Sequence, residues 1–260
     1  MVRLFLISIL WISFTGNIVR AECPQVVNTQ LVPDTLLDGI QSKIYNAFVQ
    51  SLMSRDSQPI RTLNTGLENL YETNPNNLIQ YWRSYLQFYS SIYYLKNGDE
   101  KSAEKETDKG IGLLEEMDNK SSEDFALLSM LQGFGIQFKG IKAMFVSAEI
   151  KKNAKQAIAM DSTNLRAYYV YANNDFHTPE KYGGGKEAEA YLVKAVSLPA
   201  QTIKNEYLPS WGKEESYEML IKLYIRQERW DLVKKYFQEG IKEFPNSYTI
   251  NQLAPKLVGK

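Results

Sequence analysis

The chain has 260 residues, enough for one extended domain or two small ones, with 30 basic and 30 acidic side chains. If Arg3 and Arg20 leave with an N-terminal leader, 28 basic residues face 30 acidic ones, and a net charge near −2 gives no electrostatic reason to expect nucleic acid or an anionic membrane as partner. A single cysteine excludes an intrachain disulfide, so packing must supply the stability.

The first element, MVRLFLISILWISFTGNIVRA, has the layout of an export signal. Arg3 is the basic start, Leu4 to Phe14 form the apolar stretch, and Val19 and Ala21 are small enough for a peptidase cutting before Glu22. That stretch is too short to cross a bilayer core, which takes about 20 residues in a helix. Lipid attachment at Cys23 is not expected, because Arg20, Ala21 and Glu22 precede it where a lipobox has small residues. The expected layout is a cleavable signal peptide (1–21), a linker (22–33) and a helical domain (34–260), with the mature protein exported to the periplasm or secreted.

From there on, apolar residues recur at three and four, as in LLDGIQSKIYNAFVQSLM, FALLSMLQGF and YEMLIKLYIRQERWDLVKKYFQEGI. No segment alternates for long with a strand period. Breaks fall at 97–99, 117–122, 160–164, 178–185, 208–212 and 244–247, and divide the chain into about ten helices of an all-α fold. In YWRSYLQFYSSIYYL (81–95), Tyr81, Tyr85, Phe88 and Ile92 line one face and Trp82, Tyr89 and Tyr93 another, which suits a helix sandwiched between neighbours. Some of these tyrosines can line a groove while their rings stay packed. The charge run 98–110 places Lys101–Glu104, Lys105–Asp108 and Glu106–Lys109 at helix-neighbour spacing, as on a solvated face.

LYETNPNNLIQYW (70–82), AIAMDSTNLRAYY (157–169) and GIKEFPNSYTINQ (240–252) each close one amphipathic helix and open another. The clearest unit, 214–247, resembles the tetratricopeptide repeat. Tyr217, Leu220 and Tyr224 stand at its bulky first-helix positions, and Trp230, Val233, Phe237, Gly240 and Pro245 at its second-helix and terminal ones. Ile221 and Val233 are larger than the family's usual residues, so looser or shifted packing is expected there. The unit before it, within 165–200, matches through Tyr168, Tyr171, Ala172, Ala188, Leu192 and Ala195, with a longer loop. A third is marked by Tyr94, Ala103 and Gly110, and a further second-helix end by Ala157-Ile158, whereas SMLQGFGIQFKG departs from the pattern. HTPEKYGGGKEAEAYLVKAV followed by LPSWGKEE also resembles exported bacterial tetratricopeptide proteins, over roughly 120–247, and implies no activity. The resemblance implies a right-handed α-solenoid of antiparallel helix pairs with irregular insertions.

The glycine-rich stretch 183–186 is not a phosphate loop: Lys186 is followed by Glu187, and neither the glycine spacing nor a preceding strand is present. It reads as a turn, with Thr178 capping, Pro179 at a first helical position, Tyr182 packed inward, and Glu187 and Glu189 supplying negative charge to the next helix. His177 with Asp175 and Glu180 lacks the second histidine or further ligands of a metal site. No acid, base and nucleophile can be assembled, and no catalytic residue, metal or cofactor is expected. Transferring the repeat register puts Arg166, Tyr169, Asn173 and Phe176 of one first helix, and Glu218, Lys222 and Ile225 of the next, on the concave side. The function expected is a non-catalytic scaffold of the bacterial cell envelope that docks a protein or peptide there. The alternative is a solute-binding or transport-accessory protein with an enclosed small-molecule pocket.

Overall fold

A computed structural model describes residues 35–140 and 143–260, and the leader, the linker and Cys23 lie outside the described residues. Among the described residues there are eleven α-helices and no strand. They are α1 (Ile40–Ser54), α2 (Gln58–Thr73), α3 (Asn77–Lys96), α4 (Glu100–Glu115), α5 (Ser122–Gly135), α6 (Ala143–Met160), α7 (Leu165–His177), α8 (Ala188–Ser197), α9 (Lys213–Arg226), α10 (Trp230–Glu243) and the single turn α11 (Tyr248–Asn251).

Four of the six expected breaks end in a side-chain N-cap, and Asn76 caps α3 in the same way. Asn76, Asp99, Asn164 and Ser247 each accept a backbone N–H from the first turn of the helix they precede. Ser121 and Asp124 form a reciprocal capping box at the head of α5. The stretch SMLQGFGIQFKG departs from the repeat because α5 stops at Gly135 and runs into a 3₁₀ turn, Ile136–Phe138, before α6 begins.

Consecutive helices pack as pairs, and each odd-numbered helix up to α7 also touches the next odd-numbered one. The even-numbered helices pack chiefly across to odd-numbered partners, so the stack closes up on its odd side and that side is the inner face. α11 packs against α9 and α10 at the end of the stack.

Small side chains set the spacing within a pair. Ser84 and Ser91 of α3 donate to the carbonyls of Gly110 and Ala103 of α4, at 2.8 and 2.6 Å. Ser122 and Ser129 of α5 do the same to Ala157 and Ile150 of α6, at 2.8 and 3.0 Å. In both pairs the serines lie two turns apart on one helix and the carbonyls two turns apart on the other, as antiparallel register requires. All four hydroxyls are buried. A Cβ on Gly110 would crowd Leu131 Cδ2 of α5 and come 3.1 Å from Gln87 Cβ and 3.3 Å from the Ser84 carbonyl oxygen of α3, so a larger residue there must push its neighbours away. Gly240 similarly faces Tyr217 and Ile250 in the last full unit. Ile221 and Val233 are fully buried in the core of the C-terminal units.

Two surface expectations need correction. Glu104 and Asp108 of the charge run reach Lys139, and Lys109 reaches Glu68 on α2, so these charges tie helices together instead of pairing along α4. Tyr182 is 68% exposed with Lys181 over its ring, not packed inward.

Gly110→Ala is expected to destabilise the protein by about 1–3 kcal/mol through overpacking. Gly112→Ala, where an added Cβ meets nothing, should be neutral or stabilising by up to about 1 kcal/mol. Urea unfolding of the two variants checks this, and equal midpoints would contradict it.

Candidate functional site: the aromatic inner face

The inner face is walled by rings from α1, α3 and α7. Tyr89 stands at its centre, with ring centroids 5.1 Å from Phe48, 5.2 Å from Tyr85 and 6.2 Å from Tyr45. Tyr85 stacks on Trp211 at 6.1 Å, and Tyr169 meets the same indole edge-on at 6.1 Å. Edge and offset contacts of this kind suit the ring quadrupoles. Of the rings expected on two faces of α3, Tyr81, Trp82, Tyr85 and Tyr93 are buried and Phe88, Tyr89 and Ile92 half-buried, and the two sets meet, since Trp82 and Tyr89 both pack on Tyr85.

Trp211 belongs to the long connection 198–212 between α8 and α9, which lies across this face. Its indole N–H donates to Tyr81 Oη at 2.8 Å, and Trp82 donates to the Tyr207 carbonyl at 2.9 Å. Ser210 N–H bonds Gln41 of α1 at 2.8 Å. Within the loop, the Gln201 amide donates to three carbonyls, those of Asn205, Leu208 and Pro209. The loop is therefore a fixed part of the wall.

α9 opens beside it with Glu214, Glu215 and Glu218. Glu215 Oε2 accepts the Gly212 N–H at 2.7 Å, closing the cap of the helix. Burial pushes the Glu215 carboxyl above its ordinary value, and Glu214 and Glu218 push the same way. Burial also raises the Tyr89 phenol to about 12, with Glu215 contributing, and moves Tyr85 and Tyr169 up as well. At neutral pH these phenols are uncharged, so the face offers rings, hydroxyls and carboxylates.

The residues picked from the repeat register have different fates. Arg166, expected on the docking face, is 5% exposed beneath the 198–212 loop. Its guanidinium grips Glu123 through two bonds of 2.6 and 2.5 Å and donates to the carbonyls of Ala200 and Trp211. It anchors the loop and is not on offer to a partner. Tyr169 is half-buried against Trp211, and Asn173 is half-buried one turn on. Glu218 and Lys222 form an ion pair at 2.5 Å, with Lys222 exposed. Phe176 lies under the Arg226 guanidinium at 3.9 Å, and Ile225 is half-buried. Phe176 and Lys222 thus come together around His177 and Arg226, apart from the acidic first turn of α9.

No protein-family model matches the chain, and no curated protein sequence matches it. In structure it is similar to TTC0263, a thermophilic TPR protein of Thermus thermophilus, at TM-score 0.52 and 14% identity over 83% of this chain and 99% of that one. It is also similar to the HusA haemophore of Porphyromonas gingivalis, at TM-score 0.49 and 22% identity over 70% of this chain and 92% of that one. The fold is a tetratricopeptide-like helical repeat.

Within this TPR-like stack the glycine-rich loop is a turn. Gly183 and Gly185 have φ of 85° and 77°, and a Cβ on Gly184 would sit 2.0 Å from the Thr178 carbonyl oxygen. Thr178 ends α7, donating back to the Asn174 carbonyl, and does not cap a following helix. The fully buried Asp175 accepts the N–H groups of Glu187 and Ala188 at 2.8 and 2.9 Å. The start of α8 therefore already holds an anion, the Asp175 side chain of α7. Glu187 and Glu189 accept the hydroxyls of Tyr171 and Tyr224. Sequence reasoning missed Tyr45, Glu215 and the role of Trp211; an Asn, a Gln and a Trp clustered in a long connection were the available signal for an ordered loop.

Although its side chain is exposed, His177 is held below the ordinary 6.5, first by partial desolvation and then by the positive Arg226 and Lys222. The unfolded chain takes up the proton more readily, so this group's stabilising contribution is lost as pH falls from about 6.5 through the folded value. As the sole histidine, it should show one imidazole NMR titration with a midpoint under 6.5, and Lys222→Ala or Arg226→Ala should raise that midpoint. A midpoint insensitive to both would contradict the assignment.

Proposed function

We propose that the protein is a non-catalytic docking protein of the bacterial cell envelope that holds a protein or peptide partner on its inner face. The observation that carries this reading is the wall of half-open rings from three helices and an ordered loop, set beside the carboxylates of α9. Such a face recognises by shape and polar pairing. The tetratricopeptide-like architecture supports the reading, because its stacked pairs create an extended surface that a single helix hairpin lacks. Export rests on the leader ending at Ala21.

A photoreactive amino acid at Tyr45 or Lys222 should yield partner adducts in the native host. The same group at Lys152 on α6 or Lys234 on α10, both exposed on outer helices, should yield few. Equal labelling of the two faces, or none on the inner one, would contradict the reading. N-terminal sequencing of the exported protein should begin at Glu22, and retention of Met1 would contradict export by cleavage.

A further inference from the structure

The inner face has a definite charge chemistry. Glu215 uses Oε2 on the Gly212 N–H and forms no ion pair among the described residues. Arg166, within electrostatic reach of Glu215, spends its guanidinium hydrogen bonds on Glu123 and two backbone carbonyls. The Glu215 carboxyl also accepts its own N–H, and burial together with Glu214 and Glu218 still pushes it above its ordinary value. Tyr45 on the neighbouring wall is 53% exposed, and Tyr89 and Tyr169 are half-buried within electrostatic reach of Glu215. Ring faces and the carboxylates of Glu214 and Glu215, which both act on Tyr89, favour the same visitor, a lysine ammonium or arginine guanidinium, and both disfavour an anion.

We propose that the aromatic inner face takes a basic segment of a polypeptide, with a lysine or arginine side chain lodged among Tyr45, Tyr89 and Tyr169 against Glu215. This rests on the docking reading above and names the chemistry of the partner. A polypeptide fits better than a free amine because apolar surface continues along the loop. Ile203 and Leu208 are 73% and 42% exposed, and the same loop is tied to the start of α1 through Gln41.

The test is calorimetric titration of the full chain with three probes: a short peptide with lysine at alternate positions, the same peptide with glutamate there, and butylammonium. The lysine peptide should bind and weaken with added salt, and the glutamate peptide should not bind. Glu215→Gln, whose amide oxygen can still accept the Gly212 N–H, should lower affinity about tenfold or more. Tyr45→Ala should lower it severalfold, and because Tyr45 is exposed this variant decides the matter if Glu215→Gln fails to fold. Equal binding of both peptides, unchanged affinity in the variants, or butylammonium binding as tightly as the lysine peptide would overturn the proposal. Inner-face cross-links to a native partner alongside any of these results would overturn the basic-segment proposal alone. Lysine-peptide binding without such cross-links would overturn the docking reading instead.

Discussion

The structure depends on how closely two antiparallel helices approach within a pair. In α3/α4 and α5/α6 a buried serine hydroxyl spans the gap to a backbone carbonyl, and two turns later a second serine does so again. Each bond contributes a net of about 0.5–1.5 kcal/mol, but its geometric effect is larger, since a longer side chain there would push the helices apart. Gly110, Ala103, Ala154 and Ala157 keep the second helices slim at the same contacts. Bulky residues are thereby displaced to the flanks of the pair, where α3 sends its rings toward α1 and the 198–212 loop.

The inner face follows from that displacement. A regular stack would leave the groove between first helices open along its length. Here the connection from α8 to α9 lies across it, with Trp211 stacked on Tyr85 and Arg166 drawn away from solvent to hold the loop. Bringing Arg166 and Glu123 out of water is costly, and the bidentate geometry together with two carbonyl contacts offsets that cost. The open part of the face lies where this plug ends, over Tyr45, Tyr89 and the first turn of α9.

Much of this was legible in the sequence. The 3.6-residue period and the Asn, Asp and Ser caps marked the helices, because helix starts have a local chemistry that a single chain displays. The unit 214–247 gave the architecture through Tyr217, Gly240 and Pro245, whose roles are set by contacts within one pair. What could not be read is long-range. Arg166 has the register of a surface residue, yet its partners lie more than one unit away, at Glu123 and Trp211. Glu215 looks like an ordinary capping carboxylate until the tyrosines of α3 are placed beside it. Tyr182 shows the opposite case, an aromatic expected inside that a turn of glycines carries outward.

The central claim is that the odd-numbered helices form a recognition face and the even-numbered helices a supporting layer. Amide hydrogen exchange with and without the native partner tests it most directly. Protection should appear in α1, in the 198–212 loop and at the head of α9, with α4, α6 and α10 unchanged. Protection confined to the even-numbered helices would contradict the account.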